Sequence, residues 1–553
     1  MDQKALEALF QDMSTEEKVM QLVQIPGSEY EADAEITGVD RGQVKDRVKR
    51  LAGSTLGIWG SKRLKKVQEQ YMKEHPHHIP LMFMLDVIHG HKTVLPCPLG
   101  QGASFDPEEV KKGAAMQARE AAADGIHATF SPMADLCRDA RWGRIMESTG
   151  EDKFLNSCMA KAMVMTSFNS INGIPATGST FLMKKILREE FGFKGVLISD
   201  WGAVGEMINH GYAEDQRDAA LKAMQAGVDI DMCSGCYSAH LEELVNSGAV
   251  SGKMLDQDAV TARGIRHVDN WQEENDRLLA EAVSAAEWAD TVILCLGEDS
   301  TQSGEATSKA SLKLPAVQLK LLREIRKTGK KIVSLIFTGR PLELDEVREL
   351  SDALLICWLP GTEGGHAVLD VLTGKLSPSG RLPVSFPYTV GQEPLHYDMY
   401  PTGRPKPENA PFEYTSRYLD CENGALYPFG YGLSYTSFEY TGQKLSTQKM
   451  SASEPLTASV TVRNTGNRKG DVTVQLYIRD VCGSRVRPVR ELAGFQKLSL
   501  DPGAEEEVSF VIKEEMLRFW TAEEKWESEA GKFLVWICDN SSDGKPLEFL
   551  LES

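Results

Sequence analysis

Several short apolar runs in this chain end in an acidic side chain. The runs LMFML, TFSPMA and GVLIS are followed by Asp86, Asp135 and Asp200, and the run GVDID contains Asp229 and Asp231. Carboxylates gathered at one edge suit glycoside hydrolysis, in which one attacks the anomeric carbon and another protonates the leaving oxygen. They equally suit a site for a hard cation. A single aspartate after a strand is more often a helix N-cap or an ion-pair partner. It is the presence of several aspartates at strand ends that indicates a site.

The elements that would position these carboxylates are alternating strands and helices. Residues 1–262 alternate short apolar runs with helical stretches, a pattern that predicts a parallel sheet and, most simply, a (β/α) barrel. Ser14 followed by Glu17 predicts a capping box, and Gly125 predicts a helix C-cap. Catalytic groups of such barrels lie at the carboxyl ends of the strands, which is where the aspartates fall.

Three further regions follow the barrel-like domain. Residues 263–390 predict a second α/β unit, with strands DTVILCLGE, KIVSLIF and ALLICWL. Residues 391–437, rich in Pro, Gly, Tyr and Asn, predict an irregular linker. Residues 438–553 change to a period of two and predict a small β-sandwich. The fold class is therefore α/β, with several domains.

Composition and charge exclude several classes of protein. The chain has 553 residues, of which 42% are hydrophobic and 25% charged, the proportions of a globular protein. Its 61 Lys and Arg against 80 Asp and Glu give a net charge of −19, which repels nucleic acid and anionic lipid surfaces. We therefore expect neither nucleic acid nor membrane as a partner. The N-terminus lacks the pattern of a secretory signal and the ten cysteines are scattered, which predicts reduced thiols and a cytoplasmic location.

Long stretches of the sequence also carry a family pattern. They are LMFMLDVIHGHKTVLPCPLGQGASFDPEEV (81–110), FSPMADLCRDARWGRIMESTGED (130–152), VMTSFNSINGIPAT (164–177), GFKGVLISDWGAV (192–204), LGEDSTQSGEATSKASLKLP (296–315), PSGRLPVSFP (378–387) and YPFGYGLSYTSFEY (427–440). In this order they resemble glycoside hydrolase family 3, in its β-glucosidase branch. The resemblance covers nearly the whole chain and implies a barrel, an α/β sandwich and a fibronectin-like sandwich.

The resemblance also implies roles for individual residues. Asp200 in ISDWGAV matches the family's catalytic nucleophile, and Glu305 in SGEATSK matches its acid/base, with Glu298 in LGED as the rival acid. Asp86 matches an aspartate that accepts hydrogen bonds from sugar hydroxyls, and Arg144 in RWGR is expected to donate to the sugar.

Three neighbours of these residues are expected to complete the binding site. Glu147 is expected to pair with Arg144 and hold its guanidinium. Trp201 directly follows the nucleophile and is expected to wall the sugar, although plain core packing is the more common role of a tryptophan at a strand end. Phe168 takes a place where related enzymes often carry Tyr.

The sequence departs from the family pattern at two junctions. The family's Lys-His pair, which binds sugar hydroxyls, is missing, and FLNSCMAKAMV runs directly into MTSFNSING. A second shortening follows KMLDQDAVTA. Six convincing barrel strands precede residue 262, so the barrel is expected to lack at least one strand. Natural loss, engineered deletion and a longer parent chain all remain open as origins of the two gaps.

The function expected from this resemblance is a retaining exo-β-glycosidase that removes terminal β-D-glucosyl residues from small glucosides or short oligosaccharides. It implies no cofactor and no metal. A β-xylosidase and a catalytically impaired, sugar-binding or structural homologue are the alternatives. An open barrel edge would need a cover, so a homo-oligomer is also open.

Overall fold

The computed structural model describes residues 3–32, 34, 44–159, 164–165, 167–247, 249, 271–299, 301–405 and 414–552. It divides into two compact units. The barrel unit comprises Met1–Lys92, Ala114–Pro132 and Lys161–His267, and the sandwich unit comprises Thr93–Gly113, Met133–Ala160 and Val268–Ser553. No helix in the described ranges is long and apolar enough to cross a bilayer.

The helices are short and mostly amphipathic. In chain order they are α1 (Gln3–Asp12), α2 (Thr15–Met20), α3 (Asp46–Leu51), α4 (Ser61–Glu74), α5 (Pro98–Gly102), α6 (Pro107–Asp124), α7 (Lys153–Met159), α8 (Ala203–Asn209), α9 (Gln216–Ala226), α10 (Cys236–Asn246), α11 (Trp271–Trp288), α12 (Ala316–Lys327), α13 (Asp345–Leu350) and α14 (Gly364–Leu372), with a π-helix at Phe181–Glu190. The predicted caps are confirmed. Ser14 and Glu17 form the capping box of α2, and Gly125 follows α6 with a φ of +98°.

The barrel unit is built on an open arc of parallel strands. Its strands are β1 (Val23–Pro26), β2 (Ser54–Leu56), β3 (Met82–Leu85), β4 (Ala128–Thr129), β5 (Val164–Met165), β6 (Ser170–Ile171), β7 (Ile174–Pro175), β8 (Leu197–Ile198) and β9 (Asp231–Met232). The order β4-β3-β2-β1-β9 is continued by a parallel bridge from Ile230 to Ile198 and by the pair β8-β5. Strands β6 and β7 form a separate hairpin.

Seven parallel strands thus line the arc in the described part of the chain, one more than the six expected. The missed strand is β1, whose four residues follow the end of α2 after two intervening residues and are too few for a period to show. The arc ends at β4 and β5, which fits the expected incomplete barrel. Helices α2, α8, α9 and α10 cover it through a buried cluster that includes Val19, Met207, Ala223 and Leu241.

The sandwich unit begins with the predicted α/β layer. Strands β10 (Thr291–Gly297), β11 (Lys331–Phe337) and β12 (Ala353–Ile356) run parallel in that order, and all three were predicted. Leu322 and Ile325 of α12 and Val347 of α13 are buried in the same cluster as Leu296 and Ile336 of the sheet. This packing fixes the carboxyl end of β10, where Glu298 and the loop to Glu305 begin.

The C-terminal strands form the predicted β-sandwich. They are β13 (Phe438–Leu445), β14 (Lys449–Met450), β15 (Leu456–Asn464), β16 (Gly470–Asp480), β17 (Glu491–Leu500), β18 (Glu505–Ile512), β19 (Phe519–Trp520), β20 (Trp526–Glu527), β21 (Gly531–Cys538) and β22 (Leu547–Leu551). One sheet has the order β13-β15-β18 and the other β14-β22-β21-β16-β17, while β19 and β20 form a hairpin. Their inward-facing residues, such as Val460, Val474 and Val535, are fully buried.

The described residues of the segment 391–437 contribute to a core. Tyr397 stacks on Phe429 with ring centroids 4.6 Å apart, and Phe429 is buried beside Phe105 and Tyr477. A segment interpreted from the sequence as a linker therefore supplies part of the packing of the sandwich unit. The domain boundaries near 390 and 437 stay predictions. The boundary at 262 and the second shortening lie outside the described residues, as do residues 160–163 and 166 at the first.

Candidate active site

Asp200 stands at the carboxyl edge of the barrel arc. It follows β8 after one residue and is half-buried. The backbone N–H of Trp201 donates to its Oδ1 at 2.7 Å, and the N–H of Ala203 donates to its carbonyl at 3.0 Å. Gly202 adopts a φ of +67°, which lets the chain turn sharply into α8 while its N–H reaches the Met232 carbonyl at 2.6 Å. This turn holds the carboxylate at the end of its strand.

Asp86, Phe168 and Trp201 belong to the same unit as Asp200. Asp86 directly follows β3 and is exposed. Phe168, half-buried, packs against the cluster that contains Trp201, and that cluster also includes Leu56, Met84, Ile198, Ile230 and Met232. Trp201 is only 8% exposed, and its buried Nε1–H meets no acceptor among the described residues. Trp201 therefore packs among apolar side chains and keeps one unsatisfied donor.

Asp229 and Asp231, which also lie at a strand end, make contacts that stabilise the fold. Arg188 contacts Asp229 at 2.6 Å, and the Leu197 N–H donates to Asp229 at 2.7 Å. Asp231 is buried and accepts the Tyr237 N–H at 3.0 Å in the first turn of α10. Both carboxylates thus have the structural roles that are common for an aspartate at a strand end.

In the sandwich unit, Arg144 is held by a carboxylate. It lies in a 3₁₀ turn, Gly143–Glu147, and its Nε and Nη2 contact Glu147 at 3.1 and 2.8 Å. The expected pair between these residues is present, and both are largely shielded from solvent. Such a two-point contact fixes the plane of the guanidinium and leaves Nη1 to point elsewhere. That Nη1 lies 3.8 Å from Oε1 of Glu305.

Glu305 is presented on a strained loop after β10. Its side chain is 55% exposed, as a group that exchanges protons with a ligand and water must be. The residues on either side have positive φ, +120° at Gly304 and +57° at Ala306. A left-handed alanine costs conformational energy, and such positions cluster where a loop must aim a functional side chain. The loop places Glu305 next to Arg144.

Glu298, the rival acid, is enclosed. Its side chain is 1% exposed and accepts hydrogen bonds at 2.8 Å from Lys309, Ser303 and Thr338. Arg340 lies against it at 3.1 Å. A carboxylate with this many donors and no access to solvent is a poor proton donor to a substrate. The geometry therefore favours Glu305 for the acid.

Sequence reasoning missed Arg340, which is fully buried and anchors the backbone on which Glu305 and Arg144 stand. Its backbone partners lie 33, 38 and 198 to 200 residues away in the sequence, so no local pattern marks it. The only signal is a charged residue in TGRPLEL, directly after an apolar strand.

Comparison with known families identifies the chain. The Glycosyl hydrolase family 3 N terminal domain matches residues 14–164, and the Glycosyl hydrolase family 3 C-terminal domain matches residues 116–435. The chain belongs to glycoside hydrolase family 3. A Fibronectin type III-like domain also matches residues 472–541, within the C-terminal β-sandwich. Membership makes the chain a glycoside hydrolase and confirms the family resemblance seen in the sequence.

Individual proteins resemble the chain over nearly their whole length. The periplasmic beta-glucosidase of Salmonella typhimurium is 32% identical, over 98% of this chain and 95% of the relative. A putative beta-xylosidase of Formosa agariphila is 26% identical, over 100% of this chain and 95% of the relative. The crystal structure of the beta-glucosidase from Listeria innocua in complex with isofagomine has a TM-score of 0.91 at 32% identity, covering 100% of this chain and 99% of that one.

This family 3 member lacks internal segments that the Salmonella protein has. The alignment with the Salmonella protein extends over 734 positions, whereas this chain has 553 residues. An alignment longer than the chain requires internal gaps in the chain. The relative therefore carries internal segments that are missing here, while the two junctions named from the sequence stay predictions.

Proposed function

We propose that this family 3 enzyme is a retaining exo-β-glycosidase that hydrolyses terminal β-D-glucosyl residues through a covalent glycosyl-enzyme intermediate. The observation that carries the proposal is Asp200, a half-buried carboxylate fixed at the carboxyl end of a barrel strand. Aspartates 229 and 231, at neighbouring strand ends, are occupied by structural contacts.

The proposed reaction proceeds in two displacements. An Asp200 oxygen attacks the anomeric carbon and forms a C–O bond as the glycosidic C–O bond breaks, while Glu305 transfers its proton to the departing oxygen. Glu305 then removes a proton from water, whose oxygen attacks the same carbon and releases Asp200. Retention requires the two carboxyl groups to work about 5 to 5.5 Å apart. The exposure of Glu305 supports its access to both leaving group and water.

Asp86 and Arg144 are the proposed sugar-binding residues. Asp86 accepts from hydroxyls distant from the anomeric carbon, and Arg144, oriented by Glu147, donates to them. Phe168 and Trp201 supply apolar surface to the sugar site in this proposal. No metal or cofactor takes part in this scheme.

Glucose is the preferred sugar in this proposal. Structures of the Listeria beta-glucosidase are described with glucose and with laminaribiose. The Formosa relative named as a putative beta-xylosidase makes xylosides the second candidate. The two sugars differ by one hydroxymethyl group, a difference worth only about 1 to 3 kcal/mol in a pocket.

The cytoplasmic location expected from the sequence stays a prediction. The Salmonella relative is named as periplasmic.

A panel of aryl β-glycosides tests the proposal. Protein whose intact mass matches 553 residues is assayed with the glucoside, the xyloside and the N-acetylglucosaminide. We expect kcat/KM to be highest for the glucoside, and an Asp200→Ala variant to lose about three or more orders of magnitude. Sugar-induced stabilisation without turnover of any substrate would instead favour the impaired homologue, and a preference for xyloside would favour the β-xylosidase.

The roles of the two carboxylates are separated with azide. In a Glu305→Ala variant azide attacks the glycosyl-enzyme intermediate, so the expected product is the β-glucosyl azide. In an Asp200→Ala variant azide attacks the substrate directly with inversion, which gives the α-glucosyl azide. The opposite pattern of anomers would overturn the assignment.

A further inference from the structure

Arg340 is a fully buried arginine just after β11, and it touches two separate segments of the sandwich unit. Its Nη1 points to three consecutive backbone carbonyls at 3.1 to 3.4 Å, those of Ala140, Arg141 and Trp142. Its Nη2 donates to the carbonyls of Gln302 and Thr307 at 2.6 and 2.9 Å. One guanidinium thus joins the turn that leads to Arg144 with the loop that carries Glu305.

The Glu298 carboxylate also connects Arg340 to the loop that carries Glu305. One of its oxygens lies 3.1 Å from Arg340 and 2.8 Å from Nζ of Lys309, which also donates to Gln302. The other oxygen accepts from Ser303 and Thr338. The carboxylate therefore holds both ends of the loop that contains Glu305.

The two segments also join directly through their backbones. The N–H of Gly304 donates to the Gly143 carbonyl at 2.9 Å, and the N–H of Lys309 donates to the Arg141 carbonyl at 2.9 Å. A Cβ on Gly143 would lie 2.2 Å from the Gly304 carbonyl oxygen, so the approach needs glycine. Glu305 lies between these two anchor points.

We propose that Arg340 and Glu298 are positioning residues that fix the loop of the acid/base Glu305 against the Arg144 segment. Neither can touch substrate, because both side chains are enclosed. A buried ion pair is a costly way to gain stability compared with apolar packing, whereas it fixes geometry well. This inference rests on the proposed role of Glu305. It adds that proton transfer by Glu305 depends on Arg340 and Glu298, which do not contact the sugar.

The test measures how activity depends on the leaving group. Phenyl β-glucoside needs a proton from the acid as it leaves, whereas 2,4-dinitrophenyl β-glucoside departs without one. For Arg340→Lys we expect kcat/KM to fall about 30-fold or more with the phenyl substrate and less than about threefold with the dinitrophenyl substrate. Lys309→Met removes a partly exposed anchor and is expected to show the same selectivity with a loss of about tenfold.

Two controls make the outcomes distinct. Arg381→Lys alters another buried arginine, paired with Asp539, and is expected to lower thermal stability without any leaving-group selectivity. Glu305→Gln is expected to show the largest selectivity, and combining it with Arg340→Lys is expected to add no further loss. Equal losses on both substrates for Arg340→Lys and Lys309→Met, with Glu305→Gln still selective, would overturn the positioning role alone. Equal losses for Glu305→Gln would overturn the proposed acid and this inference with it.

Discussion

Glu147 orients Arg144, and removing its charge should affect sugar binding more than chemistry. We predict that Glu147→Gln raises KM for an aryl β-glucoside about tenfold and leaves kcat within about threefold, because one charge-assisted contact that aims the guanidinium is lost. Steady-state kinetics with the purified variant measures both parameters.

A matched control lies elsewhere in the sandwich unit. Glu514 pairs with Arg518 at 2.6 to 3.0 Å and is shielded to a similar degree as Glu147. Glu514→Gln should leave KM unchanged. An equal rise in KM for both variants would remove the reason to place Arg144 in the sugar site.

At the scale of residues, the sequence predicts roles where a motif is present. The family pattern assigns roles to Asp200 and Glu305, and these assignments stay predictions. Asp229 and Asp231 looked equivalent to Asp200, yet their neighbours Arg188 and Tyr237 occupy them. Which carboxylate is already satisfied depends on side chains that come together only in the folded chain.

At the scale of elements, the close approach of the Arg144 turn to the Glu305 loop can be tested with a methyl group. Gly143→Ala would place a Cβ 2.2 Å from the Gly304 carbonyl oxygen and force the loop away. We predict a loss of about tenfold or more in kcat/KM for phenyl β-glucoside. Gly365→Ala, in α14 with open space around its Cβ, should leave activity unchanged. Equal activity of the two variants would contradict the tight junction.

Asp124 ties three elements of the barrel unit together and gives a pH-dependent prediction. It accepts the Gly60 and Ser61 N–H groups at the start of α4, and contacts His91 and Lys92 at 3.1 and 3.0 Å. Burial raises the pKa of Asp124, but these hydrogen bonds outweigh it and hold the pKa at about 2. Its stabilisation is therefore present above the ordinary aspartate range, near pH 4, and is lost as the pH falls toward 2.

Asp124→Asn should therefore lower the free energy of unfolding by about 2 kcal/mol at pH 7. The difference from wild type should shrink at pH 3, as measured by denaturant unfolding at each pH. Asp218→Asn, which removes a more exposed ion pair with Lys222, should cost less than about 1 kcal/mol. A cost for Asp124→Asn that stays constant between pH 7 and pH 3 would contradict this account.

Strands and helices with a clear hydrophobic period or a cap could be predicted from the sequence, whereas very short strands could not. The three strands of the α/β layer and the capping box of α2 follow directly from the sequence. Strand β1 has four residues and pairs with β2 and β9, from distant parts of the chain. Its existence depends on those partners rather than on its own residues.

At the scale of the whole molecule, a shortened family 3 chain should still couple sugar binding to stability. A ligand that binds only the folded state adds about 2.7 kcal/mol at 100 times its Kd. We predict that glucose raises the Tm of the wild type, and that Asp86→Asn loses most of this shift because a sugar-hydroxyl acceptor is removed. Thermal unfolding in a glucose titration, with sorbitol as the control, measures it. Equal shifts for both proteins would place Asp86 outside the sugar site.

Trapping the intermediate tests the central claim most directly. 2-Deoxy-2-fluoro-β-glucosyl fluoride forms the glycosyl-enzyme but slows its breakdown, because the fluorine destabilises the oxocarbenium-like transition state. Intact mass should show one added 2-deoxy-2-fluoroglucosyl group per chain, and peptide mapping should place it on Asp200. Attachment to another carboxylate, or continued hydrolysis of β-glucosides without any trapped species, would contradict a retaining mechanism with Asp200 as nucleophile.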